Sequence, residues 1–294
     1  MAVGGATCIA FAAILVRLAD VPPSTSAFFR CLYALPVLLA LALWERQRFG
    51  PRTRRSIALS WVAGAFFAAD LIFWHHSIGA VGAGLSTVLA NVQVVLVGVV
   101  AWAVLKERPE ARVLAAVPVV LMGVVLISGV FGADAYGNDP LLGAVFGVAT
   151  GIAYAGFLLV LRAGNADIRR PGGPLFDATL ASALVILPVG WALGELELAP
   201  SWPEHAWLVT LALTAQVLGW LLISIALPRA PAALTSIVLT FQPVMSVVLA
   251  MALLDESPSP VQLAGIAVVL AGILLATVGR RRPARKPEPI SVST

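Results

Sequence analysis

The sequence predicts an all-α membrane protein of ten transmembrane helices. Three observations predict it: an apolar composition, apolar runs of bilayer length, and basic residues confined to alternate loops. Of the 294 residues, 60% are hydrophobic and 12% charged, against about 25% charged in an ordinary soluble domain. A soluble fold of this size has too little interior to hide that much apolar surface. Runs of roughly twenty apolar residues recur along the whole chain, each long enough for a hydrocarbon layer about 30 Å thick.

With charged clusters, Pro and Gly as punctuation, the spans fall at 2–19, 24–44, 57–79, 82–105, 110–130, 140–162, 176–194, 205–227, 231–254 and 259–279. The first run has no basic residue ahead of it and no small-residue cleavage pattern, and Arg17 and Asp20 follow it. It reads as a retained helix, not a signal peptide. An even number of spans puts both termini on one side, and basic residues mark the cytoplasmic side. The tail carries Arg280, Arg281, Arg282, Arg285 and Lys286, so both termini are expected in the cytoplasm. The remaining loops agree. Arg46, Arg48, Arg52, Arg54 and Arg55, then Lys106, Arg108 and Arg112, then Arg162, Arg169 and Arg170, then Arg229 all fall inside, and only Arg17 and Arg30 do not. The outer loops hold Asp20, Asp134, Asp139, Glu195, Glu197, Glu204, Asp255 and Glu256. Flanking residues thus account for the net charge of +4, and no nucleic-acid partner is expected. The Ala-, Arg- and Pro-rich composition points to a bacterial chain in the cytoplasmic (inner) membrane.

The chain also repeats itself. Residues 83–128 align without a gap on 232–277, matching Gln93 with Gln242, Glu107 with Glu256, Pro109 with Pro258 and Gly123 with Gly272. Five spans separate equivalent positions. Five is odd, so the copies run oppositely through the bilayer. The expected organisation is a first five-helix repeat over 1–132, an inverted second repeat over 139–280, and a basic cytoplasmic tail over 281–294. Inverted repeats are a device of secondary transporters, in which two similar halves exchange conformations around a fixed site.

The chain resembles the drug/metabolite transporter superfamily, specifically its ten-helix EamA-type exporters. The resemblance rests on Arg30, on Leu85 to Pro109 with its Glu-Arg-Pro ending, and on Ala232 through Gln242-Pro243, Glu256, Gln262-Leu263 and Gly272. It implies a carrier of amino acids, related metabolites or drugs, with a central cavity between equivalent helices. The aromatic amino-acid exporters are the branch it looks most like.

Polar groups at membrane depth are costly, about 2.5–3.5 kcal/mol for a charge on insertion scales, so each faces a cavity or a partner. Asp70, Trp74 and Ser77 share one helical face, with His75 and His76 beside them; Asp70, His75 and His76 are the candidates for proton coupling. The blander reading is a helix-paired or neutral Asp70 and interfacial histidines. Gln93 and Gln242 sit halfway along equivalent helices and suit a polar ligand head, or simple bonding between helices. Asn91 and Thr240 flank them, and Pro243 frees the Leu239 carbonyl. Trp74, His75, Tyr154 and Trp220, with Gln216 nearby, complete the candidate substrate site, although many membrane aromatics only pack. Arg30 either pairs with an acid such as Asp20 or holds a substrate carboxylate. Glu107 and Glu256 read as turn or capping residues.

Cys8 and Cys31 fall in apolar runs and read as small buried hydrophobes; neither a metal nor any other cofactor is expected. An intramembrane enzyme would have to use Asp70, His75 and His76, but the chain has no His-Glu-x-x-His pattern, and it has no P-loop for a nucleotide-hydrolysing pump. A channel is the remaining alternative. The sequence therefore points to alternating access of a small-molecule substrate, with the two halves rocking around Gln93 and Gln242.

Overall fold

A computed structural model describes residues 2–105, 110–131, 134–164, 167, 169–226 and 232–277. Ten helical spans result. They are α1 (Ala2–Ala10 and Ala12–Ala19), α2 (Pro23–Phe49), α3 (Arg54–Val81), α4 (Ala83–Ala90 and Gln93–Leu105), α5 (Ala111–Ile127), α6 (Pro140–Gly164), α7 (Gly172–Leu193), α8 (Trp202–Leu211, Ala212–Gly219 and Trp220–Ala226), α9 (Ala232–Leu253) and α10 (Pro260–Thr277). Among the described residues, α2, α3, α6, α7, α8 and α10 are each long and apolar enough to cross a membrane, and shorter apolar helices lie in α1, α4, α5 and α9. Large apolar side chains such as Trp44, Met122, Val145, Leu184 and Val248 face outward, as they must where lipid is the solvent.

Local chemistry sets the boundaries. Pro23 opens α2, where its missing N–H costs no helical bond. The Thr53 side chain accepts from Ser56 N at 3.2 Å and caps α3. Gly82, at φ +90°, turns α3 directly into α4. A Ser201–Glu204 capping box starts α8. Two features depart from the apolar runs. First, α2 continues past 44 to Phe49, and the extension begins with Glu45, which meets the start of α7. Second, the regular winding of three spans is interrupted while each remains one span: α1 has a turn at Phe11 with its bonds to Thr7 and from Leu15 intact, α4 tightens at Asn91–Val92, and α8 holds a π-helical stretch over Ala212–Gly219.

Helices from the two halves of the sequence interleave. The most extensive packing joins α3 to α6, α5 to α10 and α2 to α7. The α5–α10 seam is reciprocal: a Cβ on Gly123 would lie 2.6 Å from Val269 Cγ2, and one on Gly272 would lie 2.5 Å from Val120 Cγ2. Small residues let membrane helices approach this closely.

Two ends of the bundle differ in charge. The arginine-rich face gathers the ends of α2, α3, α6 and α7. There Glu45 accepts from Gly172 N and Gly173 N, both at 2.8 Å, and Arg52 pairs with Asp177. At the opposite, acidic face, Glu195 accepts from Ser24 Oγ at 2.7 Å and meets His76 Nε2 at 2.8 Å. Carboxylates at the C-terminal ends of α2 and α7 thus each hold the start of the other helix, clamping the pair at both faces.

Candidate functional site

A cavity of about 60 Å³ lies at the middle of the bundle, lined by residues of α1, α2, α3, α4, α6, α8 and α9. Each interrupted span contributes to it, with Ile9 beside the α1 turn, Ala90 and Asn91 at the α4 tightening, and Trp220 just after the π-helical stretch. The backbone stays hydrogen-bonded through the first two, with Phe11 N donating to Thr7 O at 3.2 Å and Val92 N to Leu89 O at 3.1 Å, so each is a local change of winding beside the cavity.

Arg30 is 3% exposed. Its Nε donates to Gln216 Oε1 at 3.0 Å, and Gln216 Nε2 donates to Thr179 Oγ1 at 3.1 Å. Gln216 sits inside the π-helical stretch, a helix type that recurs at functional sites. The Arg30 guanidinium also lies 5.5 Å from the centre of the Trp74 ring, within cation–π range. Its hydrogen bond thus goes to an amide of α8 and not to Asp20. Asp70, one turn before Trp74 on α3, lines the same cavity and is 7% exposed.

The apolar wall is aromatic. Phe67 stacks on Phe157 at 4.6 Å, and Tyr154 stacks on Phe157 at 6.1 Å. Trp220 stands edge-on to all three rings, at 6.0, 5.4 and 5.9 Å from Phe67, Phe157 and Tyr154. Offset and perpendicular arrangements of this kind suit the ring quadrupoles. Two cavity-lining polar atoms, Thr150 Oγ1 and Trp220 Nε1, are buried without a hydrogen-bond partner among the described residues. A buried unpaired donor or hydroxyl costs about 1–3 kcal/mol, so each represents capacity that a ligand can take up.

The cavity brings together Asp70, Trp74, Asn91, Tyr154, Trp220 and Gln242 from the sequence candidates. Asn91 donates from Nδ2 to Thr87 O at 2.8 Å. Gln93 does not line the cavity; it is buried beside Gly151 of α6, where an added Cβ would lie 3.2 Å from Gln93 N. His75 lies behind Trp74, ring centres 5.3 Å apart, with Nδ1 bonded to Leu71 O at 2.6 Å and Nε2 unpartnered. His76 belongs to the acidic face through Glu195. The Thr240 side chain lies outside the described residues, as do Glu107, Arg108, Pro109 and Arg229. Phe67 and Thr150 were not singled out from sequence. Phe67 carries a signal, since it falls one turn before Asp70 on the same face; Thr150 carries none beyond being a hydroxyl in an apolar run.

Toward the acidic face, side chains of α9 and of the turn after it are tied to α4. Ser246 Oγ donates to Thr87 Oγ1 at 3.0 Å, while Glu256 accepts from Ala83 N at 2.6 Å and Gly84 N at 3.0 Å. Glu256 therefore caps α4 rather than its own turn. Burial pushes its carboxyl above the usual range, opposed by those two N–H groups. On the arginine-rich side, hydrogen bonds from Arg169 hold the exposed Asp167 carboxyl down at about 2.

Apolar outward helices enclosing a charged and aromatic interior, with irregular spans meeting at a central cavity, define a multi-pass membrane transporter. The EamA-like transporter family matches residues 1–129 and 141–278, and the chain belongs to that family. It is 26% identical to the uncharacterized transporter YetK of Bacillus subtilis (strain 168), over 91% of this chain and 82% of that one. An uncharacterized transporter of Archaeoglobus fulgidus is 24% identical, covering 91% of this chain and 92% of its own. One solved crystal structure shares the fold, with a TM-score of 0.62 at 18% identity, covering 96% of this chain and 98% of that one.

Proposed function

We propose that this transporter is a secondary carrier exporting amino acids, aromatic ones foremost, across a bacterial inner membrane. The observation that carries the reading is that Arg30 and Asp70 both line one cavity walled by Phe67, Trp74, Tyr154 and Trp220. A zwitterion needs a cation for its carboxylate and an anion for its ammonium, and a flat side chain needs ring faces. The unpartnered Thr150 hydroxyl and Trp220 N–H add polar contacts without first breaking bonds.

A hollow of about 60 Å³ holds only a few waters, so substrate enters when helices part. The interleaved packing supports an inverted repeat, because Gly123 touches Val269 while Gly272 touches Val120, the same two positions exchanged. Reciprocal contacts of this kind are the mark of two-fold symmetry. The α2–α7 pair, clamped at both faces, serves as a fixed axis. Alternating access then moves α3, α4 and α6 against α1, α8 and α9, parting the Thr87–Ser246 contact. The arginine-rich face is cytoplasmic, following the charge rule. Proton coupling rests on Asp70, the one member of the Asp70, His75 and His76 set that lines the cavity.

Thermal melting of the purified protein with a panel of amino acids tests the recognition. Aromatic amino acids raise the melting temperature of the wild type. Esters lacking the carboxylate and N-acetyl forms lacking the ammonium do not. Equal shifts from all three forms would overturn zwitterion recognition.

A further inference from the structure

The transport reading leaves unused a larger hollow of about 370 Å³ at the arginine-rich ends of α2, α3 and α7. Its lining is of two kinds. Leu39, Leu43 and Ile57 line it from the outward surface, 42%, 48% and 37% exposed, continuous with the lipid-facing side of α2 and α3. Arg46 continues the same face of α2 beyond Leu39 and Leu43, and Arg52 and Arg170 join it in the lining. A second hollow of about 330 Å³ shares Arg52 and Arg170 and adds Arg55, Thr53 and Ser56.

The carboxylates nearby are already engaged. Glu45 holds Gly172 N and Gly173 N, Asp177 pairs with Arg52, and Asp167 binds both Arg169 and Arg170. Arg170 is occupied a second time, donating to the carbonyls of Phe49 and Gly50 at 3.2 and 3.0 Å. Among the described residues, neither Arg46 nor Arg55 forms an ion pair, and Arg52 Nη1 is buried with no hydrogen-bond partner although its companion Nη2 meets Asp177. Positive charge therefore exceeds negative charge at the hollow, and one buried guanidinium N–H lacks an acceptor.

We propose that this hollow seats the phosphate of an anionic phospholipid from the leaflet on the arginine-rich side. The phosphate takes Arg46 and the Arg52 guanidinium, which turns to bring its buried Nη1 into the hollow, and the acyl chains lie along Leu39, Leu43 and Ile57. Basic pockets between membrane helices select anionic headgroups in this way. The apolar wall decides for a lipid over a soluble anion, because a free phosphate leaves Leu39, Leu43 and Ile57 without an apolar partner. A zwitterionic lipid would bring its own ammonium next to Arg46. The bound headgroup would bridge the ends of α2, α3 and α7, adding to the clamp that Glu45 makes. None of this depends on the transported substrate.

The test is thermal melting of the full-length protein in a neutral detergent, titrated with phosphatidylglycerol, phosphatidylcholine or inorganic phosphate. Phosphatidylglycerol is expected to raise the melting temperature saturably, with little response to the other two. Arg46→Gln removes an exposed side chain without an ion pair, so the fold survives, and it should weaken the phosphatidylglycerol response about fivefold, as loss of one arginine near an anionic surface predicts. Arg162→Gln, an exposed arginine of α6 that lines neither hollow, should leave it unchanged. Equal weakening by both variants would mean diffuse surface charge and overturn the site. A response to inorganic phosphate as large as to the lipid would mean a soluble-anion site and overturn the assignment to lipid.

Discussion

Replacing Gly123 with Ala presses directly on the seam between α5 and α10. The new Cβ would lie 2.6 Å from Val269 Cγ2, 2.8 Å from the Gly265 carbonyl oxygen and 2.8 Å from Val269 N. A valine methyl can turn aside, but two backbone atoms retreat only if α10 moves. Overpacking of this kind costs about 1–3 kcal/mol, and a chain approaching this size loses roughly 2–4 °C of melting temperature per kcal/mol. Gly272→Ala meets a softer obstacle, Val120 Cγ2 at 2.5 Å, with the nearest backbone atom, Val120 N, at 3.3 Å. In double-mutant cycles, Val120→Ala should therefore relieve most of the Gly272→Ala strain, whereas Val269→Ala should relieve only part of the Gly123→Ala strain. Gly79→Ala, with nothing within 4 Å of its added Cβ, is the neutral control. All variants are melted in one detergent. Wild-type melting of Gly123→Ala, or its complete rescue by Val269→Ala, would refute the packing argument.

Three further predictions follow from the site and its surroundings. Thr150→Val removes a buried hydroxyl that has no partner, so the ligand-free protein should melt at the same temperature or higher while substrate affinity falls; a loss of stability with affinity unchanged would contradict a ligand-facing hydroxyl. Thr87→Cys with Ser246→Cys, made with Cys8 and Cys31 replaced by Ala, puts two sulfurs where hydroxyls lie 3.0 Å apart. Oxidation should stop turnover and reduction restore it; undiminished turnover in the oxidised state would defeat alternating access through parting of this contact. The Asp167 carboxyl, held down at about 2 by Arg169, contributes stability that is present above the usual carboxylate range and is lost only as pH falls toward its depressed value. The melting difference between wild type and Asp167→Asn should therefore stay constant from about pH 8 to pH 5 and shrink below about pH 4, and a difference that widens on acidification would reverse the sign.

Much of the span layout could be read from sequence because the bilayer demands long apolar runs, and charged clusters or Pro and Gly separate them. The extension of α2 to Phe49 was not readable. It runs mostly through polar residues, and its Glu45 finds its partners in Gly172 and Gly173, far away in the chain. The turn at Phe11 has no helix breaker to announce it, whereas Asn91 is a turn-favouring residue whose side chain bonds the Thr87 carbonyl one turn back, a local signal that the surrounding apolar run hides. At the cavity, the face shared by Asp70 and Trp74 was visible from helical spacing. Gln93 shows the limit of arguing by symmetry: its repeat equivalent Gln242 lines the cavity, while Gln93 lies against α6. One residue's register in an interrupted helix decides which way a side chain faces, and the interruption at Asn91–Val92 immediately precedes it. The aromatic box was legible only in part, because Phe67 and Phe157 look like any other core rings until they stack.

Counterflow in proteoliposomes containing the purified protein, with radiolabelled Thr, Met, Phe, Tyr and Trp, tests the central claim most directly. The account predicts saturable counterflow strongest for Phe, Tyr and Trp, abolished by Asp70→Asn and greatly reduced by Arg30→Lys. Absence of counterflow for every amino acid, or flux that neither saturates nor responds to those two substitutions, would contradict it.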